Sequence, residues 1–270
     1  MNVRRWNLIL ALTILPTVGV IWWQGSARWQ EMARAMDEVQ AELESQGGQC
    51  EIHALDVSDI QATTVLIDTL NEQGSIDILI NNAGILLDST YENTPVEELQ
   101  RVIAVNLSAP MLLAQAVLKG MLARDRGHIV NISSLAGLGG YAHGESYCAT
   151  KHGLVGFTRA LRFSLRARGS RVGASVVCPG YISETGMFAT RKEAHELEAP
   201  ALLGTSPPGD VVQGVIRAIE KDLPEVIVNA RPIRPALAIA ALFPGFAEKL
   251  AGAIGVNRVA DTIAKANKPS

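Results

Sequence analysis

The chain has little of several things. Its 270 residues hold three cysteines, Cys50, Cys148 and Cys178, scattered and odd in number. That argues against a disulfide framework and for buried thiols in a reducing compartment. Five histidines fall into no His-Glu-x-x-His or other ligand spacing, so no metal site is expected. The net charge is only -3, with no basic stripe and no interleaving of aromatic with basic residues, which gives no reason to expect nucleic acid. Charged residues make up 19% against 48% hydrophobic, the balance of a somewhat apolar globular chain. Internal repeats and low-complexity segments are lacking, and the length suits one α/β domain with a substantial core.

From Glu38 onward, strand-like and helix-like segments alternate, which predicts parallel pairing with right-handed crossovers. Helices are expected over Met32–Ser45, ended by Gln46-Gly47-Gly48, over Ile60–Gln73 with Ser58 or Asp59 as cap, over Val96–Ala123, and from Tyr147 to about Arg168. Strands are expected at Cys50–Leu55, Ile76–Ile80, Ile129–Ile132, Val172–Val177 and Val226–Val228. Ile76–Ile80 is almost continuously apolar, as in a strand buried on both faces.

Chemistry concentrates at Tyr147-Cys148-Ala149-Thr150-Lys151, with Ser134 thirteen residues upstream. Four residues of separation put Tyr147 and Lys151 on one helix face. A phenol titrates near ~10. A fixed ammonium beside it is expected to lower that value toward the working range. A serine hydroxyl can hold a carbonyl or alkoxide oxygen against the tyrosine. Alone, Tyr-x-x-x-Lys describes many half-buried aromatics beside solvated lysines. Here it accompanies Asn81-Asn82-Ala83-Gly84 after an apolar run, Asn106 in a helix, Gly127–Ser134 as a strand ending in hydroxyls, and Pro179-Gly180 closing another strand.

In order and spacing, from about Ala41 to about Asn229, this set resembles the short-chain dehydrogenase/reductase family. The resemblance implies a Rossmann-type doubly wound parallel sheet and an oxidoreductase that uses NAD or NADP to interconvert an alcohol and a carbonyl. It makes Tyr147 the acid/base, Lys151 its tuner and a holder of ribose hydroxyls, Ser134 (rather than Ser133) the substrate anchor, and Asn106 the holder of a relay water. The other reading of Asn106 is a helix-interior amide bonding a backbone carbonyl. Asp56 and Val57 would meet the adenine, although Asp56 could instead cap the next helix. Asn82, Ala83 and Gly84 would line the cofactor and brace the sheet. Pro179, Gly180 and Ile182 would meet the nicotinamide, with Thr185 as the nearest hydroxyl because Glu184 holds the position where a Thr is common. Met187 and Phe188 fall to an apolar substrate wall or to ordinary packing. The implied partners are a small apolar alcohol or ketone and further copies of the chain.

The beginning of the chain departs from that pattern. Met1–Gln30 contains only Gly19 and Gly25, where the family has a Thr-Gly-x-x-x-Gly-x-Gly turn for the pyrophosphate. In its place stands the apolar stretch Trp6–Trp23 behind Arg4 and Arg5, interrupted by Asn7 and Pro16. It reads as a membrane anchor or uncleaved signal, as a segment whose Val18–Trp23 forms a core strand, or as an aberrant start. Arginines ahead of a span would send the nucleotide domain out of the cytoplasm, away from its cofactor. The segments are therefore 1–30, an atypical start; 31–234, the Rossmann-type domain; and 235–270, an apolar extension. Ser183–Thr205, weakly periodic and placed after a strand end, reads as a lid in preference to a surface excursion of little consequence. Pro235–Val256 suits dimer packing, lipid contact or packing on the sheet. Two functions follow: a cytoplasmic oxidoreductase with membrane contact through either apolar end, or a non-catalytic relative that has lost phosphate binding and serves as a binding or oligomerisation module.

Overall fold

Strands with no polar face need helices on both sides of their sheet. That is what a computed structural model of the chain shows. It describes residues 8–11, 40–41, 44–45, 53, 55–73, 75–87, 89–201, 203–253 and 255–266. Five strands, β1 (Leu8–Ala11), β2 (Ile78–Asn81), β3 (His128–Ile132), β4 (Gly173–Pro179) and β7 (Glu225–Val228), form one all-parallel sheet in the order β1-β2-β3-β4-β7. Two short strands, β5 (Tyr181–Ile182) and β6 (Thr205–Ser206), pair separately. The helices are α1 (Ile60–Gln73), α2 (Val96–Ala123), α3 (Glu145–Ala167), α4 (Gly186–His195), α5 (Pro208–Glu220), α6 (Arg234–Leu242), α7 (Pro244–Ala253) and α8 (Val256–Ala266). The architecture is the expected Rossmann-type doubly wound sheet.

Side chains alternate across each strand. Leu79, Ile129 and Ala174 meet Ile67 of α1, Val117 and Met121 of α2 and Leu165 of α3 on one face. Ile78, Ile80, Val130, Ile132, Val177 and Val226 meet Ala218 of α5 on the other. Parallel pairing puts the carboxyl ends of all five strands on one edge, where ligands bind in open α/β sheets. Among the described residues α2 is the single helix long and apolar enough to cross a membrane, yet it is the core helix that carries Val102, Leu113, Val117 and Met121 inside.

Several local expectations are refined. The cap of α1 is Asp59, whose Oδ1 accepts the Ala62 N–H at 3.0 Å; Asp56 instead accepts from the Ser58 N–H and hydroxyl, so it does not cap. The helix α2 contains a π-helical turn, Ala104–Ser108, that carries Asn106. Leu8–Ala11 pairs with β2, Leu8 opposite Ile78 and Ala11 opposite Asn81, so Trp6–Trp23 is not one continuous spanning helix. Val18–Trp23, Gly19, Gly25 and Cys50 lie outside the described residues, as does most of the expected strand Cys50–Leu55, of which His53 and Leu55 are not in a strand. Of Met32–Ser45, the described residues Gln40, Ala41, Glu44 and Ser45 are helical. The segment Ser183–Thr205 is more regular than its pattern suggests: α4 forms because Ala189 and Arg191 turn inward while Lys192 and Glu193 stay exposed. In the C-terminal extension α6 has no buried residue, which removes packing into the core as the role of that helix.

Candidate active site

The site forms where β2, β3 and β4 end and α3 begins. Ser134 follows β3 in extended backbone, and its Oγ accepts the Ala136 N–H at 3.1 Å and donates to the Pro179 carbonyl at 3.4 Å. The same hydroxyl favours the phenolate of Tyr147. Ser133, the alternative, is fully engaged elsewhere, its Oγ donating to the Lys151 carbonyl at 3.0 Å and its side chain buried. Lys151 is 2% exposed; its Nζ donates to the Ile132 carbonyl at 2.9 Å and lies 5.6 Å from the Tyr147 ring centroid. Gly84 completes the floor, since a Cβ there would sit 3.4 Å from Lys151 Nζ, 3.4 Å from Met187 Cε and 3.5 Å from Asn106 Oδ1. Sequence reasoning thus named Ser134, Tyr147, Lys151, Asn106, Gly84 and Pro179, and the fold brings them together.

Electrostatics correct one expectation. Burial pushes the Tyr147 phenol up to about 12, opposed by the Ser134 hydrogen bond and the Arg191 guanidinium. Burial also brings the Lys151 ammonium down to about 8. The lysine therefore does not bring the phenol into the neutral range, because desolvation outweighs it. Asn106 is held in the manner of its structural alternative: Oδ1 accepts the Ile85 N–H at 2.8 Å, and Nδ2 donates to the Ile85 carbonyl at 2.8 Å and to Thr150 Oγ1 at 3.3 Å.

The expected cofactor residues are arranged unevenly. Asn82 is exposed at the strand edge, and it is its neighbour Asn81 that braces the sheet, through Nδ2 to Asn131 Oδ1 at 2.7 Å and to the Pro110 carbonyl at 3.3 Å. Ala83 and Val57 are buried together against α2, so Val57 offers a ligand its backbone rather than its side chain. Asp56 is exposed. Gly180 lies where a Cβ would stand 2.3 Å from Asn229 Oδ1, a position only glycine fills. Ile182 is half-buried in β5, and Thr185 is exposed just before α4. Around Tyr147 the wall is apolar: Ala136, Cys148, Leu86, Tyr141 and Met187.

Residues 26–196 match the family model described as short chain dehydrogenase. The chain belongs to the short-chain dehydrogenase family. A ketoacyl reductase, HetN, of a Nostoc species is 40% identical over 196 residues, 72% of this chain and 66% of the relative. A 3-oxoacyl-[acyl-carrier-protein] reductase, FabG, of Vibrio harveyi is 35% identical over 58% of this chain and 62% of the relative. The match thus spans just under two thirds of these relatives' length. Among solved structures, a metagenomic short-chain oxidoreductase in complex with NADP has 33% identity and a TM-score of 0.58, covering 73% of this chain and 80% of that one. A gluconate 5-dehydrogenase from Beutenbergia cavernae with bound NADP has 30% identity and a TM-score of 0.64, covering 71% and 79%.

Within this family member, Arg191 escaped the sequence reading, and Thr150 and Asn81 entered it only as members of their motifs, without a role. For Arg191 a signal existed: it stands four residues after Met187, so both share a helix face aimed at the site.

Proposed function

We propose that the chain is an NAD(P)-dependent carbonyl reductase of the short-chain type, acting on an apolar ketone of the ketoacyl kind. The observation that carries this reading is Ser134 at the end of β3 acting on the Tyr147 phenol, with the Lys151 ammonium one turn further along α3 and 5.6 Å from the Tyr147 ring centroid, at the carboxyl edge of the sheet. The nicotinamide end of a dinucleotide fits what is there. Gly84 adds no side chain beside the buried Lys151 ammonium, Gly180 lets the backbone approach, and Asn82 is exposed at the strand edge. Lys151 and Tyr147 would meet the ribose, Pro179, Gly180, Ile182 and Thr185 the nicotinamide amide, Ala83 and Gly84 the ribose side, and Asp56 and Val57 the adenine. The pyrophosphate end falls on residues outside the described ones. The bound cofactor supplies the hydride.

The chain's own residues handle the proton. At neutral pH the Tyr147 phenol is protonated, which loads it as the acid that gives its proton to the substrate oxygen. Ser134 can exchange its long 3.4 Å bond to the Pro179 carbonyl for one to that oxygen. Leu86, Tyr141 and Met187 exclude water around it. This reading needs a compartment supplied with NAD(P)H, hence the cytoplasm. It takes the exposed Ile103, Met111 and Phe163 as surface covered in a homo-oligomer, a state that light scattering would report.

The test is reduction of short ketoacyl thioesters with NADPH or NADH, beside Tyr147→Phe. Turnover should fall by roughly two to four orders of magnitude with cofactor affinity little changed. A parent chain that neither binds NADH or NADPH nor turns over any ketone would favour the non-catalytic module instead, and a Tyr147→Phe variant retaining most of its kcat would remove the tyrosine from its role.

A further inference from the structure

The segment that follows β4 carries a buried cation. Arg191, in the middle of α4, is 4% exposed. Its Nη1 donates to the Met187 carbonyl at 3.0 Å, and its Nη2 crosses to the Leu86 carbonyl at 3.1 Å. Leu86 follows Ile85, whose N–H and C=O are both held by the Asn106 amide from α2. Asn106 in turn donates to Thr150 Oγ1, and that hydroxyl donates to the Tyr147 carbonyl at 2.9 Å on α3. The two-residue strap Ile85–Leu86 is therefore gripped by the catalytic framework through Asn106 and by α4 through Arg191. Met187, pinned by the same guanidinium, packs above Gly84 and against the Tyr147 cluster. At both ends α4 meets left-handed backbone, Glu184 (φ 69°) before it, Gly186 (φ 79°) as its first residue and Glu196 (φ 50°) after it, positions that can absorb a swing.

We propose that Arg191 is a positioning residue: its guanidinium bolts α4 to the Ile85–Leu86 strap above Tyr147, so that closure of α4 over the substrate and the proton chemistry of the tyrosine share one contact. The site role rests on the reductase reading above; the bolt itself does not. The ionisable groups facing Tyr147 are Lys151 and Cys148 on its own helix, Tyr141 on the preceding loop, Cys178 on β4 and Arg191 on α4. Of these Lys151 and Arg191 alone are cations at neutral pH. Arg191 favours the phenolate of Tyr147 and also that of Tyr141, so its effect reaches both phenols beside the substrate.

The experiment compares R191M, R191K and, as a control on the same helix, K192M, whose side chain is exposed. Amide hydrogen exchange over residues 186–196 should quicken by roughly tenfold or more in R191M, the equilibrium worth of one lost charge-assisted hydrogen bond. R191K should fall between, and K192M should match the parent. In active enzyme, the midpoint of the kcat/KM pH profile should move to higher pH in R191M, return toward the parent in R191K and stay unmoved in K192M. Unchanged exchange in R191M overturns the bolt, and raised exchange with an unmoved midpoint overturns the coupling to Tyr147. A parent chain that turns over no ketone sinks the reductase reading, while exchange in the free protein still decides the bolt.

Discussion

At Tyr147, burial and charge pull in opposite directions, and burial wins. Lys151 sits in the same low-dielectric floor, brought down to about 8 by burial and still mainly charged at neutral pH. In the proposed mechanism the pair is a neutral acid beside a positive charge. Lys151→Ala should harm turnover and weaken NADPH binding together, since the ammonium is placed to serve both. An effect on neither, in steady-state kinetics and a fluorescence titration, would remove Lys151 from the site. Another buried base sets the acid limit of stability. His128 is brought down to about 4 by burial. Ser175 gives its proton to the Leu223 carbonyl, so its oxygen accepts from His128 Nε2 at 2.8 Å, while burial keeps the ring neutral. Between that value and the ordinary ~6.5 the unfolded chain binds more protons, so stability present above this window is lost as pH falls through it. His128→Gln should flatten the fall in unfolding free energy between these pH values by about 2–3 kcal/mol, measured by denaturant titration. An unchanged slope would exclude His128 as the acid-sensitive group.

Among the elements, α1 and α4 differ most in what their sequences reveal. The start of α1 is legible because Asp59 precedes an apolar-periodic run and offers a carboxylate to the Ala62 N–H. Asp59→Ala should lower stability by about 1 kcal/mol, read as a shift in denaturant midpoint with an unchanged slope. The helix α4 has no comparable cap, Thr185 making no side-chain bond to the helix start. It is held instead by tertiary contacts of Met187, Ala189 and Arg191. Its weak periodicity follows from that, since a helix fixed by a few long-range contacts needs no continuous apolar stripe.

For the whole molecule, the catalytic edge and the phosphate edge are unequal. The carboxyl end of β1 lies on the edge that carries Asn82, Ser134 and Pro179, while Met1–Gln30 has two glycines and no glycine-rich turn. Without such a turn the backbone loses several charge-assisted hydrogen bonds to a pyrophosphate, each worth roughly 1.5–3 kcal/mol, and two losses cost on the order of a hundredfold in Kd. Grafting a strand, glycine turn and helix in place of Met1 to about Gln30 should restore tight NADH or NADPH binding. Micromolar binding by the parent chain, unimproved by the graft, would show that the phosphate site is built from other residues. The C-terminal corner, with Leu242, Phe243 and Phe246 exposed, belongs to this scale as well, because no helix among the described residues covers it.

The sequence by itself determined the central strands β2, β3 and β4 and their burial, since short, nearly continuous apolar runs such as Ile78–Ile80 suit a sheet covered on both faces. It also singled out the proposed catalytic residues, because Ser134, Tyr147 and Lys151 share a recognisable spacing along one strand end and one helix face. Tertiary structure alone decided the rest. Leu8–Ala11 reads as part of an apolar stretch until β2 supplies its partner. Asn106 acquires its role from Ile85, twenty-one residues away, and Arg191 from Leu86, one hundred and five away. The protonation of Tyr147 depends on how completely water is excluded, a quantity no local pattern encodes, because desolvation is set by everything packed around the ring.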